Sequence, residues 1–154
     1  FYLRLILIIS LVSIISAYFI EYVLGHQPCN LCLIERIPYG FSIILITLNY
    51  FFKKNEKFII LLLILTFCFS FAISVYHLGI EQGIFEESTV CGLKNMTGII
   101  SKEEILKQLQ EKTVSCKDVT FRIFGLSLTS INILLSLILV TLLTKIYISY
   151  EKNK

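Results

Sequence analysis

Two cysteines three residues apart, Cys29 and Cys32, lie in the stretch HQPCNLCLIERIPYG, and Arg36 follows four residues later. A C-x-x-C pair puts two sulfurs about one helical turn apart, so that one can attack a disulfide while the other resolves it. As a staple the pair is poor, because closing so short a loop removes little entropy from the unfolded chain. Pro28 suits a first helical position, so a helix is expected to start there with Cys29 at its positive end, where a thiol ionises more readily. Covalent haem attachment needs a histidine directly after the second cysteine, and Leu33 stands there instead. A structural zinc site needs two further ligands. His26 is near, but the chain has no second C-x-x-C and no H-x-x-H, so no metal is expected.

Three more cysteines complete the set. Cys91 and Cys116 lie in a long polar segment, and Cys68 lies within the apolar LTFCFSF, where it is expected to be a packing residue. Cysteines facing an oxidising compartment are expected to pair, and four of them allow three connectivities. Loop membership favours Cys29 with Cys32 and Cys91 with Cys116. Taken alone, a bridge between Cys91 and Cys116 reads as a structural staple.

On a helix, Arg36 shares a face with Cys32. A charge at a helix centre in a bilayer costs up to about 2.5 to 3.5 kcal/mol and less at the edge, so such a residue either snorkels or marks function. Glu35 is a candidate local partner. The sharper expectation is that Arg36 offers fixed donors to the carbonyl oxygen of a lipid-soluble oxidant beside Cys32. A dithiol that oxidises others must itself be reoxidised, and the chain has neither a Rossmann glycine pattern nor a haem motif to hold a soluble cofactor; a lipophilic quinone reaching the bilayer edge would serve. His77 is a possible further donor, although a lone histidine at a helix end is more often solvated or capping.

The elements that hold these groups are apolar. Of 154 residues 56% are hydrophobic, and the mean hydropathy is +0.80. The apolar residues fall in four runs, Leu5 to Val23, Ile37 to Phe52, Phe58 to Ile80 and Leu126 to Ile148. Each is near the roughly 20 residues that cross about 30 Å of hydrocarbon. The second run is short, so its helix is expected to begin within the C-x-x-C segment. The expected architecture is a single all-α membrane domain over residues 1–154, a four-helix bundle with spans at about 5–24, 31–52, 58–80 and 124–148. Outward loops cover about 25–30 and 81–123. The first run is longer than the apolar region of a signal peptide and no A-x-A site follows it, so it is expected to be a retained span.

Seven Lys or Arg fall within 19 residues at 1–4, 53–57 and 145–154, against seven spread over 55 residues at 25–36 and 81–123. The positive-inside rule then puts both termini in the cytoplasm and both cysteine loops outside. These flanking lysines account for the net charge of +3, and no basic stripe suggests nucleic acid. In the second loop, ISKEEILKQLQEK reads as an amphipathic helix with a Ser101–Glu104 capping box, lying on the membrane surface or on the loop. CGLKNMTG, from Cys91, reads as a flexible segment open to a partner.

The pattern resembles the disulfide bond formation protein B family, the membrane thiol oxidases that recharge a periplasmic thioredoxin-like oxidase. PCNLCLIER matches the family's first-loop motif, YHLGIEQGIF resembles the end of its third span and FGLSLTSIN resembles the start of its fourth. The chain has no tryptophan, and Thr129 and Ile131 stand where relatives often carry proline or alanine and tryptophan. The resemblance implies that Cys91 takes the attack of a DsbA-type partner's thiolate, with Cys116 as its pair. It implies that electrons then pass to Cys29 and Cys32 through a transient Cys29–Cys116 bridge, and from Cys32 to ubiquinone or menaquinone beside Arg36. It also implies the bacterial inner membrane as the location.

Two other readings compete. A quinone reductase of the vitamin K epoxide reductase type is also a helical bundle with a C-x-x-C, but there the motif is expected late in the bundle. A non-catalytic scaffold with stapled loops would need neither Arg36 nor the C-x-x-C spacing.

Overall fold

In hydrocarbon every backbone N–H and C=O must find its partner within the segment, so long Leu, Ile and Phe runs have little choice but helix. The computed structural model describes residues 2–51, 56–87, 91, 114–117, 121–123 and 125–152. Its helices are α1 (Tyr2–Tyr22), α2 (Asn30–Phe51), α3 (Glu56–Glu81) and α4 (Leu128–Lys152). All four are long and apolar enough to cross a membrane. A short antiparallel hairpin, β1 (Arg122–Ile123) and β2 (Leu126–Ser127), leads into α4. The fourth helix therefore starts later than the expected 124, because the residues before it pair as strands. The amphipathic helix expected over ISKEEILKQLQEK, and the segment after Cys91, lie outside the described residues.

The helices pack in sequence order, α1 on α2, α2 on α3 and, most extensively, α3 on α4, whereas α1 and α4 hardly touch. The bundle is thus open along one seam. At its centre Ile6, Ile46, Ile60, Leu63, Phe67, Leu139 and Leu143 form an apolar core. Small buried hydroxyls let helix backbones approach closely: Ser42 donates to Ser10 at 2.8 Å between α2 and α1, and Ser136 donates to Ser70 at 3.2 Å between α4 and α3. The outer surface is apolar, with Ile8, Leu48, Phe69 and Ile138 about half exposed. Patches of this extent suit lipid rather than water. Cys68 lies on this outward face. The expectation that it packs in the interior is corrected: the helical turn carries it away from the core residue Phe67.

Pro38 lies inside α2 and is buried there. Lacking an N–H, it leaves the Ile34 carbonyl without its usual helical donor. The other end of α3 closes as a Schellman turn, in which Ile84 N–H reaches the Gly79 carbonyl at 2.8 Å and Gly83 N–H reaches Ile80 at 3.0 Å. Gly83 supplies the positive φ of 73° that this turn requires. Phe85 then folds back on α3 so closely that a Cβ at Gly79 would meet its ring at 2.3 Å. This turn fixes the end of α3, where His77 and Glu81 sit.

Candidate active site

The N-terminus of α2 is capped by the first cysteine. Cys29 precedes the first helical residue, Asn30, and its sulfur accepts the Cys32 N–H at 3.3 Å while its carbonyl accepts the Leu33 N–H at 3.2 Å. Pro28 is therefore outside the helix rather than its first residue. The expected benefit survives the shift, because a capping sulfur faces the unpaired N–H groups directly. The expected Cys29–Cys32 disulfide is not formed in this structure: the two sulfurs are 2.9 Å apart, and both thiols are free. Hydrogen bonding from the Cys32 thiol, joined by that from His77 and the Cys32 amide, outweighs burial and holds the Cys29 thiol down to about 4.

His77 comes from α3 and is 1% exposed. Its Nε2 is 3.5 Å from the Cys29 sulfur, and its Nδ1 is 2.9 Å from Glu35 Oε1 of α2 and 3.3 Å from the Thr129 hydroxyl of α4. Thr129 in turn donates to Glu81 at 2.6 Å. A buried carboxylate such as Glu35 is tolerated when its oxygens are hydrogen-bonded. Here Asn132 Nδ2 donates to Glu35 Oε2 at 3.0 Å and to Ser74 at 2.8 Å, and Tyr39 donates to Asn132 Oδ1. One polar chain thus runs from the Cys29 sulfur through His77 and Glu35 to Asn132, crossing three helices.

Arg36 points elsewhere. Its guanidinium pairs with Glu21 of α1 at 2.5 Å and lies over the Tyr18 ring at 5.1 Å from the centroid. Its carboxylate partner is thus Glu21 and not the neighbouring Glu35, which turns inward to His77. The pair is partly exposed, 17% and 20%, and the contact with Glu21 uses only one of the five donors of a guanidinium.

The second cysteine pair is a disulfide, Cys91–Cys116, with Cα atoms 5.4 Å apart. Both residues are buried, and they share one apolar cluster with Cys29, Leu31 and Ile80, with Cys32 and Ile34 packed against it. Beside this cluster, in the seam that α1 and α4 leave open, is a cavity of about 360 Å³. Val12, Ala17 and Ile20 line it from α1, and Leu128, Ile131 and Leu135 from α4. Cys29, Cys32, Glu35, Arg36, His77 and Cys116 line its polar side. The four cysteines and Arg36 singled out in the sequence are therefore gathered at one end of the bundle.

His77 is more central than its isolation in the sequence suggested, and Glu35, Thr129 and Asn132 were not singled out as site residues at all. A signal for them was present. Ser70, Ser74, His77 and Glu81 recur at helical spacing and make one polar stripe along an otherwise apolar span, as do Thr129, Asn132 and Ser136 on α4. Two facing polar stripes in membrane helices find each other, because hydrocarbon offers them no other partner.

Comparison with known proteins agrees with this arrangement. The family described as "Disulfide bond formation protein DsbB" matches residues 1–146. An uncharacterized protein of Rickettsia prowazekii (strain Madrid E), RP370, is 30% identical over 155 residues, covering 99% of this chain and 90% of that protein. With four membrane-spanning helices, a disulfide and a capping C-x-x-C at one end, this multi-pass membrane protein belongs to the disulfide bond formation protein DsbB family.

Proposed function

We propose that the protein oxidises a thioredoxin-like thiol oxidase and passes the electrons through its two cysteine pairs to a membrane quinone. The observation that carries this reading is the shared cluster, which holds both pairs together beside one apolar cavity lined by α1 and α4. The density of basic residues on the opposite side supports a cytoplasmic location for the termini and a periplasmic one for the cysteines in a bacterial inner membrane.

In the first exchange a partner thiolate attacks Cys91, and Cys116 leaves as the thiolate. The partner's second thiol then resolves the mixed disulfide, leaving the partner oxidised and Cys91 and Cys116 reduced. Cys116 attacks Cys29 of an oxidised Cys29–Cys32 pair, and Cys32 is released. Cys91 then closes on Cys116, restoring the outer disulfide and leaving Cys29 and Cys32 as the dithiol. The electron pair has moved inward without any change in net electron count. Cys91 is buried, so partner docking must expose its sulfur before the first attack.

The cavity falls within the roughly 300–1,000 Å³ typical of small-molecule sites and combines apolar walls with a few polar groups. A quinone held there by these walls would take up two electrons and two protons. Cys32 stands at the cavity edge to give up the electrons. Arg36 keeps N–H donors for a carbonyl oxygen, while Glu21 and Tyr18 hold its guanidinium in place. His77, bonded to Glu35, stands where it can take the thiol proton and release it again.

Purified protein mixed in detergent with a reduced thioredoxin-like oxidase and a soluble quinone analogue is expected to consume quinone, read by absorbance. Cys32→Ser is expected to stop consumption entirely. Unchanged turnover in that variant, or no quinone loss with all four cysteines intact, rejects the assignment.

A further inference from the structure

The geometry points to a second use of the reduced C-x-x-C: together with His77 it forms a redox-gated site for a thiophilic divalent cation such as Zn²⁺. The sulfurs of Cys29 and Cys32 and a ring nitrogen of His77 all lie within 4.8 Å of one another, at the edge of the cavity. Tetrahedral Zn²⁺, with Zn–S about 2.3 Å and Zn–N about 2.0 to 2.1 Å, sets adjacent sulfur and nitrogen about 3.5 Å apart and two sulfurs about 3.8 Å apart. Cys29 Sγ and His77 Nε2 already stand at 3.5 Å. The sulfurs, at 2.9 Å, need to part by about 0.9 Å to meet that tetrahedral spacing. This is within reach of a side-chain rotation at Cys32, which is only partly buried.

A second observation concerns the histidine. Metal-binding imidazoles characteristically donate their other ring N–H to a carboxylate, which fixes the tautomer and turns the free lone pair to the metal. His77 has this arrangement, with Nδ1 at 2.9 Å from Glu35 and Nε2 facing the Cys29 sulfur. Glu35 is itself held by Asn132. Three protein ligands leave a fourth position for water from the cavity, the pattern of open zinc sites. The sequence spacing discouraged zinc because the third ligand is 45 residues beyond Cys32 in the chain and on another helix.

The chemistry balances without a redox agent. Cys32 gives up its thiol proton and His77 Nε2 the proton it shares with the Cys29 sulfur, so one Zn²⁺ replaces two protons to give a zinc dithiolate, and no electron moves. The disulfide form has no thiolate to offer, so only the reduced site binds. Bound metal then holds the pair reduced and stops its oxidation. That last consequence rests on the oxidase reading, whereas the binding itself does not.

The test uses full-length protein in detergent carrying Cys68→Ser, Cys91→Ser and Cys116→Ser, so that Cys29 and Cys32 are the only thiols. Titration of the reduced form with Co²⁺ is expected to give one equivalent of thiolate-to-metal charge-transfer absorption, displaced by Zn²⁺. The diamide-oxidised form is expected to give none. Glu35→Gln is expected to weaken binding by about 10- to 100-fold, the usual effect of removing such a carboxylate, and His77→Ala by at least as much. Absence of the absorption, equal binding to the oxidised form, or undiminished binding in His77→Ala overturns the proposal. Wild-type protein provides a second reading should the triple variant not fold. Zn²⁺ is expected to protect Cys29 and Cys32 from alkylation while leaving Cys68 reactive, and equal alkylation with and without metal overturns the site. Quinone consumption in metal-free buffer is measured separately. Its failure removes the oxidase reading and leaves the metal site standing, and the converse holds for the Co²⁺ titration.

Discussion

The two cysteine pairs meet in one apolar cluster but are built from different materials. Cys29 and Cys32 are set by a helix terminus, with one sulfur capping α2 and a buried histidine against it. Cys91 and Cys116 lie 25 residues apart outside the spans and are held by their own covalent bond. The first pair has its reactivity tuned by fixed neighbours. The second is held by a bond that thiol exchange can open. The proposed relay needs both, a tuned pair beside the cavity and a disulfide that a partner's thiolate can exchange.

The largest effect that would break this contrast is on substrate range. Cys91→Ser is expected to abolish turnover of a protein dithiol yet leave quinone reduction by a small dithiol, which can enter the cavity and reduce Cys29–Cys32 directly. Equal loss with both substrates, measured by quinone absorbance, would show that Cys29 and Cys32 cannot reduce quinone without the Cys91–Cys116 pair.

Next in size is the histidine. His77→Ala is expected to lower turnover by about 100-fold, the usual worth of a positioned acid–base group. Why Cys29 ionises easily is tested at its other neighbour, Cys32. A thiol held down to about 4 remains a thiolate well below the ordinary value of about 8.5. Alkylation of Cys29 in reduced wild-type protein, followed by peptide mass, is therefore expected to be nearly flat between about pH 6 and pH 9, falling only as pH approaches the lowered value. In Cys32→Ala, which removes the largest of these hydrogen bonds, the rate is expected to rise with pH over that range. A rising profile in the wild type would mean that the neighbours do not stabilise the thiolate.

A smaller effect concerns stability. Chain entropy makes a disulfide closing the Cys91–Cys116 loop worth about 3.5 kcal/mol and one closing the Cys29–Cys32 loop about 2 kcal/mol. Thermal unfolding in detergent is expected to drop further for Cys91→Ser with Cys116→Ser than for Cys29→Ser with Cys32→Ser. The reverse order would assign the structural role to the helix-cap pair.

The parts of this arrangement that depend on local pattern were legible in the sequence. Four apolar runs specify four spans because lipid leaves the backbone no alternative to helix, and a C-x-x-C before a span declares itself by spacing. Arg36 stood out in the sequence as a cation near a span end, but its partner did not. Glu35 is adjacent in sequence, yet on a helix consecutive residues point apart, and Glu21 on α1 takes the ion pair instead. The His77–Glu35–Asn132 chain was hidden for the same kind of reason, since its members come from α3, α2 and α4 and meet only through packing. Their polar stripes announce a buried face without saying which residue pairs with which.

The central claim is that the two pairs exchange electrons directly. A double variant, Cys32→Ser with Cys91→Ser, leaves Cys29 and Cys116 without their usual partners in the same cluster. Non-reducing peptide mass mapping after purification in air is expected to find a Cys29–Cys116 disulfide in most molecules. If both thiols instead remain free and alkylate separately in a folded protein, the pairs do not reach each other and the relay is wrong.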